Sequence, residues 1–321
     1  MNVSVTGLGA YRPPRLVENE ELTKLVETSD EWIRTRTGIE RRHVSEGETV
    51  LEMAEKAARQ ALEMSGVDPS AVGPVIVATS SPDSFFPMAA SLLRARLGLG
   101  EGPAFDLSCG CTGLMAAMQV AASMLEAQGY EHALIVGSEY LTRLIDWSDR
   151  STCVLFGDGA GAFVLSRGGN GIAAVHLSAR SDEAGALSMD ALPARNPWTP
   201  EAVMNTTFRM SGQDVFRFAV EAVPDTVRQL AARAGKTLAD IDWIVPHQAN
   251  LRIIHTAAHR LGVPLEKFFV NIADYGNTGA ASIALALDDM RRKDLLRPGQ
   301  NLVLAAFGAG FAWGGAWLIW Q

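Results

Sequence analysis

Short apolar runs rich in β-branched residues alternate along this chain with longer stretches whose apolar positions recur at helical spacing. The first kind includes Val75–Thr79, Ala133–Val136, Ala162–Leu165, Trp243–Val245 and Leu302–Ala306. The second includes Val50–Ser65, Ala89–Leu97, Leu114–Ala127, Val215–Ala234, Leu251–Leu261 and Ala280–Arg292. Period-2 or continuous apolar runs read as strands and 3.6-period runs as helices. Their alternation predicts an α/β fold with strands buried between helical layers. One run resembles a membrane span, because Leu302–Trp320 carries no charge over 19 residues. Gly308, Gly310, Gly314 and Gly315 interrupt it, so two buried strands joined by a glycine turn are expected instead.

A weak repeat divides the pattern. A strand ends near Ser80-Ser81, and Cys111 opens a helix 30 residues after Ser81; another ends near Pro246-His247, and Asn277 opens a helix 30 residues after His247. The offset between the pairs is 166 residues, but between the glycine turns Phe156–Gly161 and Phe307–Phe311 it is only 151. About 15 extra residues are therefore expected in the first half, around Arg143–Arg150. No Pro-, Ser- or charge-rich linker separates the halves, expected as 1–170 and 171–321, so they should be fused tightly. Duplicated halves would gather Cys111, His247 and Asn277 at equivalent strand ends and helix starts, where α/β folds build sites.

Composition narrows the function. The 321 residues are 48% hydrophobic and 20% charged, as in a globular protein with a substantial core. A net charge of −8 argues against nucleic acid, and an acidic partner would need a local basic patch. The three cysteines cannot form a disulfide framework, which fits a reducing cytoplasm. Met1–Gly7 has neither a basic region nor a long apolar run, so no secretory leader is expected. His255 and His259 lie one helical turn apart without an intervening Glu or a third ligand, so no metal site is expected.

The chemistry-bearing candidates sit at turns. Cys111, in Ser108-Cys109-Gly110-Cys111-Thr112-Gly113, falls where a strand gives way to a helix. There a helix N-terminus would favour thiolate, and free backbone N–H groups could hold an oxyanion. A buried structural thiol is the competing reading. His247, in Val245-Pro246-His247-Gln248-Ala249-Asn250, is either a proton donor to a developing enolate or a structural histidine. Asn277, in Gly276-Asn277-Thr278-Gly279, reads alone as a turn and helix cap. Gly157–Gly161 lacks the Lys-Ser/Thr ending of a phosphate loop and reads as close backbone packing.

Taken together, the chain resembles β-ketoacyl-acyl carrier protein synthase III, a thiolase-superfamily condensing enzyme. The resemblance rests on Thr28–Ile33 with Thr35–Ile39, Cys111-Thr112-Gly113, Phe156–Gly161, Pro246–Asn250 and Gly276–Thr278, in that order. It implies a five-layered α-β-α-β-α architecture from two duplicated halves, a homodimer, and a Cys111–His247–Asn277 triad. It implies acyl-CoA and malonyl-acyl carrier protein as substrates, with no cofactor and no membrane. Backbone N–H groups of Cys111 and Ala309 would form the oxyanion hole. Trp32, Arg36 and Arg150 match residues that hold coenzyme A, and Arg217, Arg252 and Arg260 match a carrier-protein docking patch. Phe86 matches a residue that reaches across the dimer to close the acyl pocket, with Leu141 and Phe156 lining it and loops such as Ser178–Pro200 setting its volume.

Departures from the family pattern are Gly110, Thr112 and Leu114 around the cysteine, Ala309 in place of glycine, Ser151 after Arg150, and Arg34 beside the coenzyme A segment. A degradative thiolase needs a cysteine in the C-terminal half, and this chain has none after Cys153. An elongating synthase needs a second histidine where Asn277 stands. A related acyltransferase or condensing enzyme of specialised metabolism remains an alternative, as does a Cys-His-Asn thioester hydrolase. A non-catalytic binding protein fits least, since all three triad residue types are present.

Overall fold

In a computed structural model, which describes residues 1–190, 197–198 and 205–321, two mixed sheets repeat one strand order. The first sheet uses β1 (Val3–Tyr11), β2 (Val72–Ala78), β3 (Ala104–Leu107), β4 (His132–Glu139) and β5 (Gly159–Arg167) in the order β1-β5-β4-β2-β3. The second uses β6 (Ile172–Ala179), β7 (Trp243–Pro246), β8 (Asn301–Gly308) and β9 (Ala312–Ile319) in the order β6-β9-β8-β7. A parallel bridge from Ile244 to Phe268 stands where β3 pairs with β2. In both sheets two antiparallel pairings lead into a parallel one.

Helices fill three layers. Outside the first sheet lie α2 (Val50–Ser65) and α3 (Ala89–Arg96), which share a core with Val75, Val77, Val136 and Val164. Outside the second lie α5 (Gly212–Ala234) and α6 (Leu251–Leu261), packed on Ile244, Val303 and Trp317. Between the sheets lie α4 (Gly113–Gln128) and α7 (Ser282–Arg292), whose apolar residues share a core with both. The expected five-layered α-β-α-β-α fold is therefore present.

Local sequence explains several boundaries. Thr49 starts α2 by accepting the Glu52 N–H at 3.1 Å, and Glu52 answers with a bond from the Thr49 N–H; Gly66 ends the helix at φ 64°. Leu302–Trp320 spans most of the β8–β9 hairpin rather than a helix. A side chain at Gly315 would place its Cβ 1.8 Å from the Leu304 carbonyl oxygen, so the glycine permits close strand contact. No described helix is long and apolar enough to cross a membrane. The connection from β4 to β5 runs over residues 140–158, while β8 and β9 are joined by Ala309–Phe311, which is where the repeat offset shortens.

Candidate functional site

The structure brings Cys111, His247 and Asn277 to one cavity of about 370 Å³, together with Phe307 and Gly308. Cys111 also lines a second cavity of about 850 Å³ with Leu141, Phe156, Glu139 and Ala309. The nucleophile candidate thus stands between two chambers. It sits in the single 3₁₀ turn Gly110–Thr112, which joins β3 to α4 and aims the turn's backbone at the helix start. Gly308 presses against it, since a Cβ there would lie 3.0 Å from both the Cys111 nitrogen and Cβ. That approach sets the β8–β9 turn, with Ala309, beside the Cys111 backbone. Ala309 has no left-handed φ; Gly310 and Phe311 carry that conformation, so the alanine brings no backbone strain of the kind its departure suggested.

The charge state expected for Cys111 needs correction. A helix N-terminus favours thiolate, yet burial pushes the Cys111 thiol up to about 12, and the Glu139 charge acts in the same direction. Both effects favour the thiol over the thiolate. Thr112 explains its own departure from the family: its hydroxyl donates to the Cys109 carbonyl at 2.6 Å and lies 3.1 Å from the Cys109 sulfur. Leu114 is buried in the central core.

His247 follows β7, and its backbone N–H continues the ladder to the Ala305 carbonyl at 2.8 Å. Its ring meets Phe307 edge-on at 5.3 Å. The residue is 1% exposed, and burial lowers its pKa to about 3, so the ring is neutral near pH 7. Nδ1 is buried without a partner among the described residues, whereas Nε2 is not sealed from the cavity. An unpaired buried N–H costs more than an unpaired acceptor, so the tautomer with hydrogen on Nε2 is favoured and points a donor into the cavity.

Asn277 is held by its backbone, donating to the Leu155 carbonyl at 2.8 Å and accepting from Gly157 N–H at 3.0 Å. Its Oδ1 accepts the Gly279 N–H at 2.9 Å. That bond fixes the amide's orientation and leaves the Nδ2 hydrogens free to donate. The Gly157–Gly161 segment is close packing: a Cβ at Gly157 would meet the Tyr275 oxygen at 2.4 Å. Its Asp158 carboxylate accepts from Ser45 and Thr142 N–H groups and the Thr142 hydroxyl, fixing the segment that carries Leu141.

Trp32 and Arg36, on α1 (Asp30–Thr37), line the smaller cavity, and the Arg150 guanidinium covers the Trp32 ring at 4.8 Å. Asp149 caps the short helix Arg150–Cys153, its carboxylate accepting the Ser151 N–H and the Ser151 hydroxyl. Arg34 pairs with Glu40 at 3.1 Å. Phe86 is 85% exposed and lines neither cavity of its own chain, whereas Phe85 lines the larger one. Arg252 lines the smaller cavity and sits over the Phe216 ring; Arg217 pairs with Asp214 at 3.4 Å, and Arg260 donates to the Val220 carbonyl. Residues 191–196 and 199–200 of the Ser178–Pro200 segment lie outside the described residues. Sequence reasoning missed Glu139, Phe208 and Phe216 as lining residues. An acid closing the apolar run Ala133–Val136 was the available signal for Glu139.

Family models match residues 105–182, described as 3-oxoacyl-[acyl-carrier-protein] synthase III, and residues 231–320, described as the C-terminal part of that enzyme. The chain is 42% identical to the β-ketoacyl-[acyl-carrier-protein] synthase III of Clostridium acetobutylicum over 99% of each chain. The crystal structure of the Pseudomonas aeruginosa synthase III superposes with a TM-score of 0.93 at 38% identity, covering 100% of this chain and 99% of that one. The priming β-ketosynthase of the R1128 polyketide pathway gives 0.92 at 38% identity, over 99% and 96%.

Proposed function

The chain belongs to the 3-oxoacyl-[acyl-carrier-protein] synthase III family, a family of condensing enzymes that initiate fatty-acid synthesis, and on that premise we propose how its residues divide the reaction. Cys111 attacks the thioester carbonyl of an acyl-CoA. A carbon–sulfur bond forms to Cys111, the bond to coenzyme A breaks, and the thiol proton leaves with coenzyme A. Backbone N–H groups of Cys111 and Ala309 hold the intervening oxyanion, each worth about 10²–10³ in rate. Malonyl-acyl carrier protein then enters and loses CO₂, its electron pair passing into a thioester enolate. His247 Nε2–H and Asn277 Nδ2–H donate to the enolate oxygen. The enolate carbon attacks the acyl group, and Cys111 departs from a β-ketoacyl-acyl carrier protein.

One observation carries this reading: Cys111, His247 and Asn277 line a single cavity that also contains Trp32 and Arg36. The second chamber, walled by Leu141 and Phe156, suits the acyl chain, with a partner's Phe86 closing it in a homodimer. Trp32, Arg36 and Arg150 would hold coenzyme A, Arg being suited to both stacking and phosphate pairing. Arg217, Arg252 and Arg260 would dock the acidic carrier protein. The reaction needs no cofactor, because acyl-CoA is a substrate. The three free cysteines fit a cytoplasmic enzyme of two duplicated halves divided near residue 170. The comparable likeness to a polyketide priming synthase keeps a specialised condensing role as a second reading.

The test is product analysis with acyl-CoA and malonyl-acyl carrier protein. A malonyl-dependent β-ketoacyl product supports condensation, whereas free acid released without malonyl thioester identifies a hydrolase. A product formed only with a carrier protein of a specialised pathway would select the second reading.

A further inference from the structure

Glu139 ends β4 with 0% exposure, yet lines the larger cavity alongside Cys111. Its carboxylate collects donors from two elements. From the end of β2, the Ser80 N–H reaches it at 3.0 Å, the Ser81 hydroxyl at 2.7 Å and the Thr79 hydroxyl at 3.3 Å. From the turn that opens α7, the Ala280 N–H lies close enough to favour the charged form of Glu139. Ser81 Oγ also accepts the Tyr140 N–H and Thr79 Oγ1 the Ser81 N–H, which holds both hydroxyls beside the carboxylate. Burial pushes the Glu139 carboxyl up to about 7 and these donors hold it from rising further, so it becomes an anion as the pH passes neutrality. Backbone leaves little slack here: a Cβ on Gly279, two residues after Asn277, would lie 3.0 Å from Glu139 Cγ. The other ionisable groups on this cavity are Cys111 and Asp106, with Arg143 and Asp83 paired to each other at 3.1 Å and Asp190 paired with Arg209 at 3.4 Å.

We propose that Glu139 is a positioning residue for the condensation. From the wall of the Cys111 cavity it links the end of β2 to the turn behind Asn277, and its carboxylate, once ionised, disfavours a second negative charge on the Cys111 sulfur across that cavity. This deepens the proposed function and rests on Cys111 being the acyl acceptor. A purely structural carboxylate would stabilise the fold without setting the reactivity of that sulfur.

The test is the pH profile of iodoacetamide alkylation, peptide-mapped to Cys111, in the wild type, Glu139→Gln and Glu139→Asp. Glu139→Gln should shift the alkaline limb of the profile down by about one pH unit, giving up to about tenfold faster labelling above about pH 8, where Glu139 is ionised in the wild type, and little change below neutrality. Its condensation kcat should fall while KM for acyl-CoA holds. Glu139→Asp, which keeps the charge, should retain the wild-type alkylation profile. A Glu139→Gln profile superimposed on the wild type overturns the proposal. If Glu139→Gln does not fold, the wild-type profile decides: a shoulder near neutral pH, where Glu139 ionises, supports coupling, and a single-proton curve refutes it. Because alkylation needs no acyl transfer, failure of Cys111 as acyl acceptor would show separately, as an absent acyl adduct.

Discussion

The two helix starts at the site share a topology but carry opposite chemistry. In the first half, β3 leads through Gly110–Thr112 into α4 and presents the Cys111 sulfur. In the second, the segment after the Ile244–Phe268 bridge leads through Gly279–Ala281 into α7 and presents the Asn277 amide. The neighbouring strand ends differ in the same way: Ser81 in one half donates to a buried carboxylate, and His247 in the other turns a neutral ring toward the cavity. Two similar scaffolds thus bring Cys111 from one half and His247 and Asn277 from the other to one cavity. The proposed division of labour follows: the first half takes the acyl group, and the second makes the carbon nucleophile.

The largest break in that comparison is Cys111→Ser. It should reduce acyl-enzyme formation by roughly a thousandfold or more, read as loss of adduct in intact-protein mass spectrometry. His247→Ala and Asn277→Ala should remove donors from the other half only. Each should lower decarboxylation of malonyl-acyl carrier protein by about 10²–10³, while the acyl adduct on Cys111 still forms.

The sequence made this division partly visible. The 166-residue offset placed Cys111 opposite Asn277, but the observed turns start at Gly110 and Gly279, 169 residues apart, so Asn277 lies three residues before the counterpart of Cys111, in the loop ahead of the turn. Helix boundaries were also readable where caps and apolar periodicity agreed, as at Val50–Ser65 and Leu251–Leu261. Burial energetics were not readable. A cysteine at a helix N-terminus argues for thiolate, and only the three-dimensional surroundings reveal the desolvation and the Glu139 carboxyl that push the thiol up. The acceptor role of Asp158 toward Ser45 and Thr142 was hidden for a related reason, since those partners lie far from it or across a turn.

The resting thiol gives a sharper, smaller effect. Raising the pH increases the thiolate fraction, so Cys111 labelling and acylation should accelerate by up to about tenfold per unit where no neighbour titrates, until the pH approaches about 12. Rapid-quench acylation across the alkaline range would measure this, and a rate already flat at neutral pH would point to a resting thiolate. The smallest contrast concerns the arginines. Arg252, at the cavity, should matter more than Arg217, which is exposed and paired with Asp214. Arg252→Ala should raise KM for malonyl-acyl carrier protein by roughly three- to tenfold and Arg217→Ala by less, both weakening with salt.

The division between the halves is tested most directly by loading Asn277→Ala with acyl-CoA, then adding malonyl-acyl carrier protein while following CO₂ release and the mass of the Cys111 peptide. The account predicts that the acyl adduct forms and persists, with CO₂ release lowered at least a hundredfold. Discharge of that adduct into β-ketoacyl product at the wild-type rate would contradict it.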